Sequence, residues 1–289
     1  MDRIQTFDEA RPLLFGIAYR MLGTVMEAED ILQEAFLRWQ KSAPDEVASP
    51  KSYLATVVTR LCIDQLRSAR IQREEYIGPW LPEPLVTDAS ATPQGALALS
   101  ESLSMAFLVI LESLTPVERA VFLLREVFDY DYAEIAGIVG KSEVHCRQLA
   151  SRARRYVVER RPRFEVSPGQ QTQVVEQFMR TLSTGDLEGL LAVLDDNVTW
   201  WSDGGGLAGV GRKPIHGAQQ VARFALNLKR AAPENTVTRL VEINGQPGFI
   251  VYIDGKPFNT LSFQLIGDRI VEIRAVVNPD KLNTLPPLD

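Results

Sequence analysis

Cysteine, histidine and net positive charge are all scarce in this chain. Among 289 residues there are two cysteines and two histidines, and 31 Lys and Arg against 37 Asp and Glu leave a net charge of −6. Cys62 and Cys146 each sit in an apolar periodic pattern, which gives neither a disulfide framework nor a metal-ligand cluster. Both are expected as small buried hydrophobes, with a thiol switch as the alternative, and no metal or cofactor is expected. The acidic balance excludes a protein that coats nucleic acid by a broad positive field, so any DNA contact must be local or assisted by a partner. No apolar stretch reaches the roughly 20 residues that span a bilayer, and Met1-Asp2-Arg3 lacks the apolar core of a signal peptide. A cytoplasmic chain without a membrane partner is the expectation. Its length allows two or three domains.

Two breaks divide the chain. The stretch 78–95, GPWLPEPLVTDASATPQG, is rich in Pro, Gly, Ser and Thr, and RPRFEVSPGQQ at 161–171 ends one helix before starting another. The block before the first break is helical, to about residue 77. Apolar spacing predicts a helix through Leu13, Leu14, Ile17, Ala18 and Met21, stopped at Gly23. A second helix carries Ile31, Leu32, Ala35, Phe36 and Trp39 on one side and Glu27, Asp30, Gln33, Glu34 and Arg38 on the other. Ordinary solvation accounts for such a face as readily as a partner does. After Ser49-Pro50, a third helix has Leu54, Val57, Val58, Leu61, Cys62 and Leu66 as its stripe and Arg60, Arg67, Arg70 and Arg73 elsewhere.

The middle block, 96–163, ends in a dense run of arginines, from Arg147 to Arg163. Thr115, Pro116 and Glu118 form a capping-box pattern in front of Val121, Phe122, Leu124 and Phe128. DYAEIAGIVG then predicts a short helix, Gly140 a turn, and 143–158 a second helix burying Cys146, Leu149, Ala153 and Tyr156 or Val157. Ser142 opens that helix, and Glu143, Arg147, Gln148, Ser151 and Arg154 face outward. This is the pattern of a helix-turn-helix, although a basic helical hairpin with no DNA role has the same local signature. Arginine and glutamine can pair with base edges, and Arg152, Arg155, Arg160 and Arg161 could reach phosphates.

In this order the motifs resemble an extracytoplasmic-function sigma factor, the initiation subunit that lends promoter specificity to core RNA polymerase. EAEDILQEAFLRW is similar to the family's core-polymerase-binding helix, SYLATVVTRLCIDQLRSAR to its minus-ten segment, and LTPVERAVFLLREVFDYDYAEIAGIVG with the Arg-rich helix to its minus-thirty-five domain. The resemblance implies that Asp30, Gln33, Glu34, Phe36 and Trp39 meet the clamp helices of the polymerase, whose flap is a second contact. Tyr53, Arg60, Asp64, Arg67 and Arg70 would meet the minus-ten element, with core packing an equal reading for Tyr53. Ser142, Glu143, Arg147, Gln148, Ser151 and Arg154 would meet the minus-thirty-five element. Glu143-Val144 departs from the Gly-Thr pair that many members carry there.

Residues 170–289 are absent from an ordinary member. Two helices hinged at Gly185-Asp186, a helix near 218–229 and five strands separated by Gly, Asn and Asp turns predict an α+β roll. TGDLEGLLAVLDDNVTWWSDGGG resembles the SnoaL-like, nuclear-transport-factor-like cone. Together with WLPEP (80–84), DGGG (203–206) and NPDKL (278–282) it is similar to the SigJ-type subgroup of sigma factors, which implies regulation in cis without a separate anti-sigma factor. Under that resemblance Trp80, Leu81, Pro82, Asp203, Gly204, Gly205, Gly206, Asn278, Pro279, Asp280, Lys281 and Leu282 are the regulatory contacts. A plain hairpin turn and a tail are the alternative for 203–206 and 278–282. Trp201, His216 and Tyr252 are the expected pocket residues, open to a small-molecule ligand, and an acid-base pair from Asp203 and His216 is the enzymatic alternative. The expected fold is therefore two all-α domains followed by the roll. The expected function is a non-catalytic sigma factor; the alternative is a ligand-responsive helix-turn-helix regulator acting without polymerase.

Overall fold

The computed structural model describes residues 3–42, 49–74, 76–87, 103–160, 167–207, 211 and 213–288, with the backbone alone for 69–74. The chain forms two compact units, one of residues 1–75 with 107–161 and one of 76–106 with 162–289. The described part of the first break, 76–87, thus belongs with the C-terminal roll.

The first unit is all helical. Helices α1 (Arg3–Leu22), α2 (Val25–Lys41) and α3 (Pro50–Glu74) pack on one another. Leu14, Ile17, Ala18 and Met21 of α1 meet Ile31, Leu32 and Ala35 of α2 and Leu54, Val58 and Cys62 of α3 in one core. Each Leu, Ile, Val or Met side chain among them contributes about 1.5–3 kcal/mol by leaving water. Then follow α4 (Met105–Leu111), α5 (Pro116–Glu126), α6 (Tyr132–Val139) and α7 (Glu143–Arg160). The predicted Thr115–Glu118 capping box is present at α5, and Asp131 with Glu134 forms another at α6. Gly140, left-handed at φ 67°, ends α6 and sets the angle to α7, where a side chain would be strained. Cys146, Leu149, Ala153 and Val157 are buried on α7, so Val157 takes the inward position and Tyr156 stays half-buried. Both cysteines are free and buried, and burial pushes the Cys62 thiol up out of the reactive range.

In the second unit α8 (Pro168–Thr184) and α9 (Leu187–Val193) hinge at Gly185-Asp186, and α10 (Ala218–Ala231) lies between strands. The sheet comprises β1 (Val86–Thr87), β2 (Leu194–Asp203), β3 (Ile215–His216), β4 (Thr236–Ile243), β5 (Gln246–Ile253), β6 (Lys256–Ile266) and β7 (Arg269–Val276). Their order is β1-β4-β5-β6-β7-β2-β3, antiparallel except for β2 with β7. Asn244-Gly245 and Asp254-Gly255 have positive φ at both central residues, the turn that matches strand twist in a two-residue hairpin. Helices α8 and α10 cover the concave face over Val175, Phe178, Val221, Phe249 and Phe263, which gives the predicted α+β roll.

Candidate functional site

Three surfaces bear on function, and each follows from how its element is held. On α2, Asp30 and Gln33 are exposed, while Glu34 is half-buried with a 2.7 Å ion pair to Arg38. Exposed Met26 and Leu37 fall on the same face at helical spacing, a signal that the 26-30-33-37 periodicity carries and that the apolar-stripe reading passed over. Phe36 packs edge-on against Phe7 at 4.9 Å. Trp39, expected at the polymerase edge, is instead buried. Its Nε1 donates to the Arg3 carbonyl at 3.1 Å and its ring lies 5.8 Å from that of Tyr53. A large ring one turn beyond Ala35 on the inner stripe is worth more in the core than at the surface. The same contact makes Tyr53 a half-buried packing residue.

On α3, Arg60, Asp64 and Arg67 are exposed at spacings that share a face with Tyr53, and Arg67 pairs with Asp64 at 3.2 Å. The side chain of Arg70 lies outside the described residues. Arg60 is engaged within the helical unit. Its Nε and Nη2 donate to the carbonyls of Ile138 and Gly137, both at 2.8 Å, at the C-terminal end of α6. Those carbonyls have no partner within the helix and carry its negative end, which a guanidinium satisfies. Two buried arginines complete this seam. Arg119 of α5 (2% exposed) donates to the carbonyls of Met21 (2.6 Å) and Leu111 (2.9 Å) and pairs with Glu112 at 2.8 Å. Arg20 stacks on Phe128, its guanidinium pushed down to about 10 by burial. Arg60→Ala is expected to weaken the α3–α6 contact by about 1 kcal/mol, a roughly fivefold shift in equilibrium, because its hydrogen bonds are partly solvated. Faster amide exchange at Gly140, whose N–H bonds the Ala136 carbonyl beside the capped ones, would register it; an unchanged rate would refute it.

On α7, Ser142 acts locally: its Oγ accepts from the His145 N–H at 3.3 Å and so caps the helix. Glu143, Arg147, Gln148, Ser151 and Arg154 are all exposed. Arg147 pairs with Glu143 at 3.1 Å, and Arg154 makes a bidentate pair with Glu126, which holds its charge more firmly still. Arg152 pairs with Glu118 and Arg160 lies 3.7 Å over the Tyr156 ring, while Arg161 falls outside the described residues. Val144, 64% exposed beside Glu143, presents an apolar surface at the start of the helix.

The densest polar site lies in the roll. Asp203, 0% exposed at the end of β2, pairs with Lys281 Nζ at 2.7 Å and accepts from the Leu81 N–H at 2.8 Å, the Tyr76 hydroxyl and the Gly205 N–H. Lys281 also donates to the Leu81 carbonyl at 2.6 Å and sits 4.2 Å from the Trp80 ring centre. Burial, then the bond to Asp203, raises the Tyr76 hydroxyl far above its ordinary value. Asn278 Nδ2 donates to that hydroxyl at 3.1 Å, and Asn278 caps the single turn of 3₁₀ helix Pro279–Lys281. Gly205 has φ +60°, and a Cβ there would lie 2.6 Å from the Asn278 side chain, so only glycine fits. Gly204, Pro82 and Leu282 are buried nearby in the chain, whereas Pro279 and Asp280 are exposed and Gly206 approaches Ile77. Glu83 accepts from Thr284 at 2.7 Å, Leu85 and Asn244 exchange backbone and side-chain bonds, and β1 adds to β4 with Val86 opposite Ile243. Residues 76–87 are stapled to the roll along their length. Sequence spacing could not pair residues 81, 203 and 281, which only the fold brings together.

The pocket residues need correction. A cavity of about 1020 Å³ is lined by Trp200, Phe249, Val251 and Leu261, and Trp201, His216 and Tyr252 are not among its lining residues. Strand alternation turns adjacent tryptophans to opposite faces, and the inward one is Trp200. His216 bonds Thr199 at the surface while the Asp203 carboxylate is bonded to Lys281, so the two are not paired with each other, and the Tyr252 hydroxyl reaches the Pro286 carbonyl. Among the described residues no group of His, Cys, Asp and Glu is placed to hold a metal, and no helix is long and apolar enough to cross a membrane.

Residues 6–71 match the Sigma-70 region 2 family and residues 104–157 the Sigma-70 region 4 family. The chain is 38% identical over 298 aligned residues to the ECF RNA polymerase sigma factor SigJ of Mycobacterium tuberculosis, covering 98% of this chain and 94% of that protein. It is 33% identical to the "Probable ECF RNA polymerase sigma factor SigI" of the same organism, covering 95% and 93%. The crystal structure of Mycobacterium tuberculosis SigJ superposes with a TM-score of 0.77 at 34% identity, covering 96% of this chain and 97% of that one.

Proposed function

The chain belongs to the extracytoplasmic-function sigma factors of RNA polymerase, and from that premise we propose that its SnoaL-like roll regulates it in cis by holding the linker. As a member it binds core RNA polymerase and directs promoter-specific initiation of transcription. The single observation that carries the regulatory reading is the buried Asp203–Lys281 pair closed over the Leu81 backbone. Thirty residues, 75–104, join α3 to α4, and the staple takes up twelve of them, 76–87. By their names the two promoter elements lie about 25 base pairs apart, roughly 85 Å along B-form DNA. In the compact helical unit Arg60 of the minus-ten segment instead touches α6 of the helix-turn-helix directly. The two DNA-reading segments must therefore part before both engage a promoter, and a linker held along twelve residues opposes that parting.

In this reading the exposed 30-33-37 face of α2 meets the polymerase clamp helices and α7 meets the minus-thirty-five duplex, with the flap as the second polymerase contact. Val144 is placed to touch a thymine methyl where a polar residue would seek a hydrogen bond. Arg67 and, once released, Arg60 track the minus-ten strand. The roll works without catalysis and in place of a separate anti-sigma factor, in the cytoplasm where polymerase acts. Supporting the non-catalytic reading, the ionisable residues that line the cavity, Arg180, Lys229 and Glu234, are all exposed.

Run-off transcription with bacterial core polymerase tests this. The full chain is expected to initiate weakly at defined sites and a chain ending at Arg163 more strongly. Asp30→Arg is expected to cut core binding at least tenfold by meeting like charge. Equal activity from the two lengths would overturn regulation by the roll. Undiminished core binding by Asp30→Arg would overturn the α2 assignment.

A further inference from the structure

The regulatory reading leaves the cavity in the roll without a task. Its interior is apolar, with Trp200, Ala225, Phe249 and Leu261 buried, and the Trp200 indole N–H is already bonded to Ser202 Oγ at 3.0 Å. Leu228, Leu240 and Phe258, exposed by 48%, 41% and 47%, line the mouth. Single exposed apolar residues need no explanation, but three at one opening describe a surface meant to be covered. At about 1020 Å³ the cavity stands at the upper end of small-molecule sites, and a protein partner lying across the mouth would leave that interior unfilled. The charged lining groups sit at the rim, and Lys229 Nζ there is bonded to the Ser183 carbonyl at 3.1 Å. A charged occupant would lose its hydration inside without gaining a counter-charge. Two lining residues, Thr236 and Asn259, carry buried side-chain oxygens with no hydrogen-bond partner, which a hydroxyl or amine on the occupant would satisfy after a small side-chain rotation.

We propose that this cavity binds a neutral, largely apolar molecule of drug size bearing one hydrogen-bond donor, and that its binding is linked to docking of the linker through β4. Strand β4 belongs to both sites. Thr236, Thr238 and Leu240 line the cavity, and Glu242 and Ile243 pair with Thr87 and Val86 of the linker. An occupant that moves or orders β4 changes the edge on which β1 rests, and linkage requires the linker to change occupant affinity by the same factor. This second half rests on the cis-regulatory reading; the binding site does not.

The test uses the full chain and 1-aminoanthracene, a neutral apolar dye with one amine donor. Saturable one-site fluorescence enhancement is expected, with displacement by 1-decanol at least tenfold better than by decanoate. Ala225→Phe, which fills the interior, and Leu228→Asp, an exposed change at the mouth, are each expected to weaken the dye at least tenfold. Circular dichroism confirms that both variants are folded, and the surface position of Leu228 protects the test from misfolding. No saturable binding, or unchanged affinity in folded Leu228→Asp and Ala225→Phe, overturns the site. Preference for decanoate overturns the neutral class and assigns recognition to Arg180 and Lys229. Hydrogen exchange at the Leu85 and Val86 amides, with and without saturating dye, reads the linkage: a threefold or larger change is expected, and no change with the dye bound overturns the coupling alone.

Discussion

Replacing Lys281 with methionine is expected to free residues 76–87 from the roll and to cost the C-terminal unit about 3–5 kcal/mol, the usual consequence of stranding a buried charge. The Asp203 carboxylate would keep the Tyr76 hydroxyl and the Leu81 and Gly205 amides but lose the ammonium that pairs with it and also holds the Leu81 carbonyl and the Trp80 ring. Amide exchange at Leu81 should rise at least a hundredfold, and the unfolding midpoint of the unit should fall in denaturant. The double variant Asp203→Asn/Lys281→Met should recover part of the loss, since no uncompensated charge remains. Asp280→Ala, one residue away and exposed, should stay within about 0.5 kcal/mol of the parent. If Lys281→Met leaves Leu81 protected, the staple does not depend on the ion pair and the regulatory reading loses its main support. In run-off transcription the same variant should behave like the shortened chain, because it releases the linker without removing the roll.

Arg119→Leu should be comparably severe in the helical unit, again about 3–5 kcal/mol. One guanidinium serves the carbonyl ending α1 at Met21, the carbonyl of Leu111 at the end of α4 and the Glu112 carboxylate, all within 2.6–2.9 Å. Leucine fills much of the volume yet leaves these acceptors in a site from which water is excluded, and each unsatisfied group carries its own desolvation penalty. Arg119→Lys should retain part of the stability, because a single ammonium cannot reproduce the fork that spans two carbonyls. Equilibrium urea unfolding distinguishes the outcomes; a loss below about 1 kcal/mol for Arg119→Leu would mean that the seam is held by apolar packing alone. The contrast with Arg60 is instructive. Both cap helix ends, but Arg60 does so at the surface, where water competes, and its loss should open the contact without unfolding the unit.

Much of the molecule was legible in sequence because it is decided by neighbours in the chain. The Thr115–Glu118 box, the left-handed Gly140, the hinge at Gly185 and the Asn-Gly and Asp-Gly hairpins each depend on a few consecutive residues, and each stands where the sequence puts it. The outward face of α7 follows equally from a 3.6-residue period, as do the buried cysteines. What tertiary structure alone decided are choices between locally equivalent options. A period of two separates Trp200 from Trp201 but does not say which face the helices cover. Trp39 and Phe36 share a stripe on α2, and only the approach of Arg3 and Tyr53 buries one of them. Arg60 reads as a free cation until α6 brings its carbonyl end within reach. Residues 81, 203 and 281 are separated by 122 and 78 positions, and no local periodicity couples them. Hydrogen bonds and charges act over a few ångströms in space, so their partners are assigned only when packing has closed the intervening chain.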